Sequence, residues 1–289
     1  MWNRLKRLIV GNPLASHRER HERLSIPIGL AVFASDALSS TAYATEEILI
    51  ALFAAGLTVP ALSSALNGFL AIPVAAAIIL LMFIVVMSYR EVIFAHPMGG
   101  GSYEVAKTRL GVLPCQIAGS ALLIDYVLTV AVSVSSGVAN VTSTGWLPAE
   151  HKVSISIGLV LLIMLLNLRG VKESGKAFAV PAFIFIFSMV GLIGWGIFKV
   201  ATGQVPNQPD TAAVVSQVQS LSPLILIAVL IKAFSHGCAA LTGVEAVSNG
   251  VQAFKEPAEL NAGKTMVYMG MILGAIFLGV TYLAYAYPG

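Results

Sequence analysis

Ser35-Asp36-Ala37-Leu38-Ser39-Ser40-Thr41-Ala42-Tyr43 lies inside the first long apolar run of the chain, Leu24 to Leu52. Asp36 stands twelve residues past Leu24, ~18 Å along a helix that rises ~1.5 Å per residue. That depth is near the middle of a hydrocarbon layer ~30 Å thick. A carboxylate there costs ~2.5–3.5 kcal/mol on insertion scales. A surface loop between two short buried helices would also account for the polar residues, but the apolar flanks resume on both sides. The stretch therefore reads as a broken membrane helix whose carboxylate meets something positive.

The rest of the chain has the composition this reading needs. Of 289 residues, 57% are hydrophobic and 11% charged, whereas soluble domains carry about 25% charged residues. The fold class expected is all-α and polytopic, embedded in a lipid bilayer. The net charge of +3 gives no reason to expect a nucleic-acid partner. Cys115 and Cys238 both fall in apolar segments and form no C-x-x-C pair, which argues against a disulfide framework or a zinc site. The basic stretch at the start is too long for a cleavable signal, and the run after it is long enough to span.

Seven apolar spans follow a polar, basic segment 1–23: 24–53, 71–89, 113–141, 153–168, 178–200, 222–254 and 265–286. Trp2 and Leu8-Ile9-Val10 read as interfacial residues of that first segment. Orientation follows from the basic residues. Arg4, Lys6, Arg7, Arg18, Arg20 and Arg23, then Arg90, Lys107 and Arg109, then Arg169, Lys172 and Lys176, then Lys255 and Lys264, all fall on one side. The other side has only Lys152 and Lys199, and Lys232 lies within a span. So strong a bias places the N-terminus in the cytoplasm of a multi-pass protein of the cell membrane.

The sixth span is interrupted too, at Phe234 to Val244. Spans one and six cross in opposite directions, and paired broken helices at corresponding positions point to an inverted-repeat transporter. The first five-helix repeat would occupy 24–200, and 201–289 would begin the second. Stopping at Pro288-Gly289, directly after a span, then reads as truncation.

Further polar groups lie at membrane depth. Asp125, Tyr126, Thr129 and Ser133 share one ~100° stripe of the third span. Hydroxyls alone commonly tie membrane helices together, but the carboxylate on the same stripe favours a polar path. In the sixth span, Gly237 and Gly243 suggest unwound backbone whose carbonyls could bind a cation. Glu245 is a third carboxylate at depth. Lys232 could offset one carboxylate or sit near the outer surface. His236 reads as a packing residue rather than a proton relay, and Glu46 and Glu47 as an external vestibule or an interfacial pair. If all ionise, Asp36, Asp125 and Glu245 outnumber Lys232, a surplus that bound cations or protons must meet. Burial favours the neutral form of a carboxyl group, which can keep its proton until an arriving cation displaces it. Glu245 is the candidate for that role.

His96-Pro-Met-Gly-Gly-Gly-Ser-Tyr103 lacks the Gly-Lys-Ser/Thr ending and preceding strand of a phosphate loop. It reads instead as a close turn at the cytoplasmic mouth. Asn167-Leu-Arg-Gly-Val-Lys172 reads as a helix ending at a glycine on the inner side.

Pro97-Met-Gly-Gly-Gly-Ser-Tyr103, Asn167-Leu-Arg-Gly170 and Thr242-Gly-Val-Glu245 resemble the amino acid–polyamine–organocation superfamily. Ser35 to Tyr43, Asp125-Tyr-Val-Leu-Thr129 and Leu241-Thr-Gly-Val-Glu-Ala-Val-Ser248 resemble one branch more closely, the Kup-type potassium importers. The resemblance runs over essentially the whole chain. It implies a LeuT-like 5+5 inverted repeat carrying potassium and protons inward together, with no cofactor and no enzymatic activity. It places cation coordination and gating on Asp36, Tyr43, Asp125, Tyr126, Thr129, Ser133 and Thr242, with potassium itself at Asp36, Asp125, Thr129, Ser133 and Thr242. Proton coupling falls on Glu245. Members of the branch form homodimers and carry a C-terminal cytosolic domain that binds cyclic di-AMP. This chain departs from that pattern by ending after seven spans. A homodimer through missing C-terminal regions, and cyclic di-AMP control, would therefore depend on parts outside it.

The nearest rival is an amino acid or polyamine permease on the same scaffold. Such a carrier holds an α-carboxylate on bare N–H groups at a glycine-rich break. No glycine lies between Ala34 and Tyr43, and Asp36 would repel a carboxylate, although it would suit a cationic amine. An intramembrane enzyme with Asp36 and Asp125 as a shared-proton dyad lacks a protease motif. A purely structural or receptor-like protein would give these carboxylates no role.

Overall fold

The computed structural model describes residues 23–58, 64–168, 171–205, 215–216, 218–219 and 221–287. Among them the regular structure is helical, apart from one isolated bridge between Leu24 and Phe254. The long elements are α1 (Ile26–Thr58), α2 (Ser64–Ala95), α3 (Gly101–Arg109), α4 (Val112–Ser143), α5 (Lys152–Asn167) and α6 (Val171–Ala201). Then come α7 (Pro223–Gly237), the short α8 (Ala246–Asn249) and α9 (Ala258–Ala286). The expected interfacial residues near the N-terminus, and the Arg169-Gly170 helix end, lie outside the described residues.

Five stretches are long and apolar enough to cross a membrane: Gly68–Ala95, Val112–Ser143, Gly175–Ala201, Pro223–Asn249 and Ala258–Ala286. α5 is apolar but has only 16 residues, ~24 Å against a ~30 Å layer. α1 is long enough at 33 residues, yet the polar residues of Ser35–Tyr43, with Glu46 and Glu47, dilute its apolarity. Large apolar side chains stand exposed on these helices, among them Leu123, Ile124, Val127 and Trp195. Such continuous apolar exposure belongs to a lipid-facing surface. The chain is an all-α, multi-pass membrane protein.

α1 corrects the sequence reading. No break occurs at Ser35–Tyr43: the helix runs unbroken from Ile26 to Thr58. Two of the hydroxyls that suggested an interruption are bonded within the helix. Ser35 Oγ donates to the Val32 carbonyl at 2.9 Å, and Thr41 Oγ1 donates to the Ala37 carbonyl at 2.8 Å. Hydroxyls bonded to the preceding turn need no water and free no backbone. The stretch also has no glycine or proline to halt the helix.

The expected interruption of the sixth span is present. α7 ends at Gly237, a 3₁₀ turn covers Cys238–Leu241, and Thr242 is extended. Gly243 then adopts φ 78°, and helix resumes at Ala246. Only Gly243 plays the part expected of both glycines. Gly237 is helical, and its lack of a side chain serves packing. A Cβ there would stand 2.6 Å from Ile48 Cγ1 and closer still to Ile78 Cδ1.

The chain divides into two compact units. The first takes the described residues up to Asp36, with Tyr89–Pro181 and Glu245–Met266. Its start is tied to its end by backbone: Leu24 N–H donates to Ala253 at 2.7 Å, and Lys255 N–H donates to Leu24 at 3.0 Å. Arg23 pairs with Glu256, and Phe33 stacks on Phe254 at 5.3 Å between centroids. The second unit takes Ala37–Ser88, Ala182–Val244 and the residues from Val267 onward. Ile48, Leu52, Ile78, Leu273, Ile276 and Phe277 are fully buried there. An apolar groove of about 400 Å³ runs along the same unit, with Met82, Val86, Gly270 and Leu278 in its walls.

Candidate cation site

α4 presents the stripe expected of it. Asp125, Tyr126, Thr129 and Ser133 are all half-buried, while Ile124, Val127, Leu128, Val130 and Val132 between them are exposed. The oxygen-bearing face therefore turns toward protein and the aliphatic face toward lipid, as polar groups in a membrane require.

Glu245 closes the break of the sixth span and is 8% exposed. The positive φ of Gly243, a conformation other residues adopt only with strain, turns the chain just before it. The Glu245 carbonyl accepts from Ser248 Oγ at 2.7 Å and from Ser248 N–H at 2.9 Å. Its side chain lies in hydrogen-bonding reach of the Tyr126 phenol. Oε1 is buried and has no hydrogen-bond partner among the described residues.

These carboxylates act on one another. Asp125 and Asp36 both act on Glu245, and Asp125 acts on half-buried Asp36. Three acidic groups from α1, α4 and the sixth-span break thus share one neighbourhood of the first unit. They do not converge to a point: among the described residues, no three His, Cys, Asp or Glu side chains could hold a metal ion between them. Lys232, the cation that could have offset them, is exposed on α7.

The other expected site residues, Tyr43 and Thr242, meet in the second unit. Buried Ser40 joins them. Ser40 Oγ hydrogen-bonds Thr242 Oγ1, and Tyr43 Oη donates to Ser40 Oγ at 3.2 Å. Thr242 also donates to the Ala239 carbonyl at 2.9 Å, inside the break. A second buried hydroxyl pair, Thr45 and Thr281, stands 3.1 Å apart. His236 is not a packing residue. It is exposed, and its Nδ1 lies 3.4 Å from Glu47 Oε2. Exposure leaves both free to find each other, a pairing across 189 positions that no local pattern could announce.

The glycine turn is where the sequence reading placed close packing, and its partner is the segment after Glu245. Gly99, Gly100 and Gly101 have φ of 82°, 92° and 46°. Gly100 N–H donates to the Asn249 carbonyl at 3.3 Å, and a Cβ on Gly99 would come 2.7 Å from that same oxygen. Asn249 also donates from Nδ2 to Tyr126 Oη. Nearby, Tyr89 Oη and Ser102 Oγ share a hydrogen bond of 2.9 Å. Neither Asn249 nor Tyr89 was marked by the sequence reading. The available signal was spacing, since Asn249 stands one helical turn after Glu245 and faces the same way.

Comparison with known proteins agrees with this picture. The family model described as amino acid permease matches residues 30–287. The chain is similar to the potassium transporter KimA of Bacillus subtilis, 43% identical over 287 residues, 99% of this chain and 45% of that protein. A shorter stretch of 88 residues, 30% of the chain, is 34% identical to a probable potassium transport system protein Kup of Flavobacterium psychrophilum, covering 13% of that protein. The chain thus spans less than half the length of the curated relatives it matches. Its helices, its broken sixth span and the match over nearly all of its length lead to one conclusion: the chain belongs to the amino acid permease family.

Proposed function

We propose that this chain forms the ion-handling part of a secondary transporter that imports potassium together with protons by alternating access. The observation that carries the reading is the cluster of Asp36, Asp125 and Glu245, three carboxylates close enough to act on one another. Such a surplus at membrane depth is met by a mobile cation. Asp36 and Asp125, with Thr129 and Ser133, attract the potassium ion. By the same reading Thr242 also coordinates potassium, and Tyr43 has a coordinating or gating role. Glu245 carries the proton, released when the cation's charge arrives, and its unpartnered Oε1 is where that proton would sit. The similarity to a potassium transporter supports the choice of ion.

The unbroken α1 favours a cation over the amino acid that the family description suggests. Its backbone N–H groups serve the helix itself, so none are bare for a substrate carboxylate beside Asp36. The energetics also suffice. Each charge crossing 100 mV gains ~2.3 kcal/mol, so one potassium with one proton gains ~4.6 kcal/mol. At 1.4 kcal/mol per decade that supports roughly 10³-fold accumulation.

The reading extends to a LeuT-like inverted repeat, with 24–200 as the first half and 201–289 opening the second. It also places the protein in the plasma membrane, with the N-terminus cytoplasmic. The whole protein is proposed to act as a homodimer under cyclic di-AMP control.

Expression of the full-length protein in a strain unable to take up potassium is the test. Growth at low potassium should be restored, with rubidium competing and amino acids not. Asp36→Asn should abolish rescue, and Glu245→Gln should abolish proton-coupled accumulation. Rescue by Asp36→Asn as strong as by the parent protein would sink the reading.

A further inference from the structure

Asn249 joins three parts of the first unit. Its backbone carbonyl accepts from Gly100 in the glycine turn. Its Oδ1 packs directly over Gly101, where any side chain would displace it. Its Nδ2 donates to Tyr126 on α4. Its own N–H donates to the Glu245 carbonyl at 3.2 Å, so it also sits on the turn that carries the carboxylate.

We infer that Asn249 is a positioning residue for the proton step: it fixes the direction in which the Tyr126 hydroxyl points, so that the phenol serves Glu245. The argument is one of donor inventory. An amide nitrogen has hydrogens and no acceptor lone pair, whereas a phenol has one hydrogen and can accept as well. Where Asn249 Nδ2 meets Tyr126 Oη, the phenol must accept, and its single hydrogen is left for another oxygen. The Glu245 carboxyl is in reach. The chain of donation then runs Asn249 to Tyr126 to Glu245, and it matches the ionised carboxylate. Once Glu245 takes a proton, its need for that donor falls and the alignment loosens. The proton state of Glu245 is thereby felt at Asn249, and through its carbonyl at the glycine turn.

The amide is held in this sense by its surroundings. Oδ1 lies against Gly101, at the uncapped start of α3, where backbone N–H groups gather. The positive φ of Gly99, Gly100 and Gly101 lets the turn come close enough for this. Replacing a glycine here would push Asn249 away without changing any ionisable group.

This inference rests on the proposed proton role of Glu245, and the experiment separates the two. Full-length protein in proteoliposomes is assayed for rubidium uptake and, with a pH-sensitive dye, for accompanying proton movement. Asn249→Leu, close in shape but without a donor, should leave the rubidium KM within about twofold. It should lower the proton-to-rubidium ratio roughly tenfold, the effect of one hydrogen bond to a charged group. In a Tyr126→Phe background the same substitution should cause no further fall in that ratio, because the phenol is already gone. A wild-type ratio in Asn249→Leu, alongside loss of coupling in Glu245→Gln, overturns the inference and leaves the proton role standing. A wild-type ratio in Glu245→Gln removes the proton role, and the inference with it. Should Asn249→Leu fail to reach the membrane, Asn249→Asp keeps the outline and turns the donor into an acceptor. A reduced ratio there supports the inference, and an unchanged one overturns it.

Discussion

Gly237 and Gly243 sit six residues apart in one interruption and are needed for different reasons. Gly237 lets Ile48 and Ile78 approach a helical backbone. Gly237→Ala should therefore cost about 1–3 kcal/mol through overpacking. Gly243 supplies a left-handed conformation, and Gly243→Ala should cost about 1–2 kcal/mol through backbone strain. Thermal unfolding of the purified protein checks both. A second prediction separates the two causes: trimming Ile78 to Val should recover part of the loss in Gly237→Ala and none of it in Gly243→Ala. The His236–Glu47 pair is different again. Both side chains are 40% exposed, so His236→Gln should change stability by less than about 1 kcal/mol.

α1 and the sixth span show which elements could be read from the chain and which could not. Both carry polar residues at membrane depth, and the sequence alone treats them alike. The difference is local chemistry. Ser35 and Thr41 return their hydroxyls to the preceding turn, so these polar groups leave the backbone bonding of α1 intact. The sixth span holds a glycine at the position where φ must be positive, and there the helix stops. Hydrogen exchange measures this directly. Amides of Ser39–Tyr43 should be protected as well as those of Ile48–Leu52, while Thr242–Glu245 should exchange faster by at least tenfold, since exchange follows local opening. The stripe on α4 was fully legible, because helical spacing alone places Asp125, Tyr126, Thr129 and Ser133 on one side. Asn249 and Ser40 were not, because what matters in each is a partner far away in sequence. Tyr126 is 123 positions from Asn249, and Thr242 is 202 from Ser40.

At the scale of the molecule, the bias of lysine and arginine gives a topology that labelling can test. Single cysteines at Arg109 and Lys264, in a background without Cys115 and Cys238, should react with an impermeant maleimide only from the cytoplasmic side. Cysteines at Lys152 and Lys199 should react only from outside, as the positive-inside rule demands. The opposite pattern would invert every statement about which mouth the glycine turn guards. Motion is constrained as well. The entry to α1 and the strand-like stretch before Lys255 exchange two backbone hydrogen bonds and stack an aromatic pair. Swinging either one alone would strand polar main chain at the membrane edge, a penalty of several kcal/mol. In the proposed alternating-access cycle the two ends would move as a single lever, so a crosslink joining them should leave turnover intact.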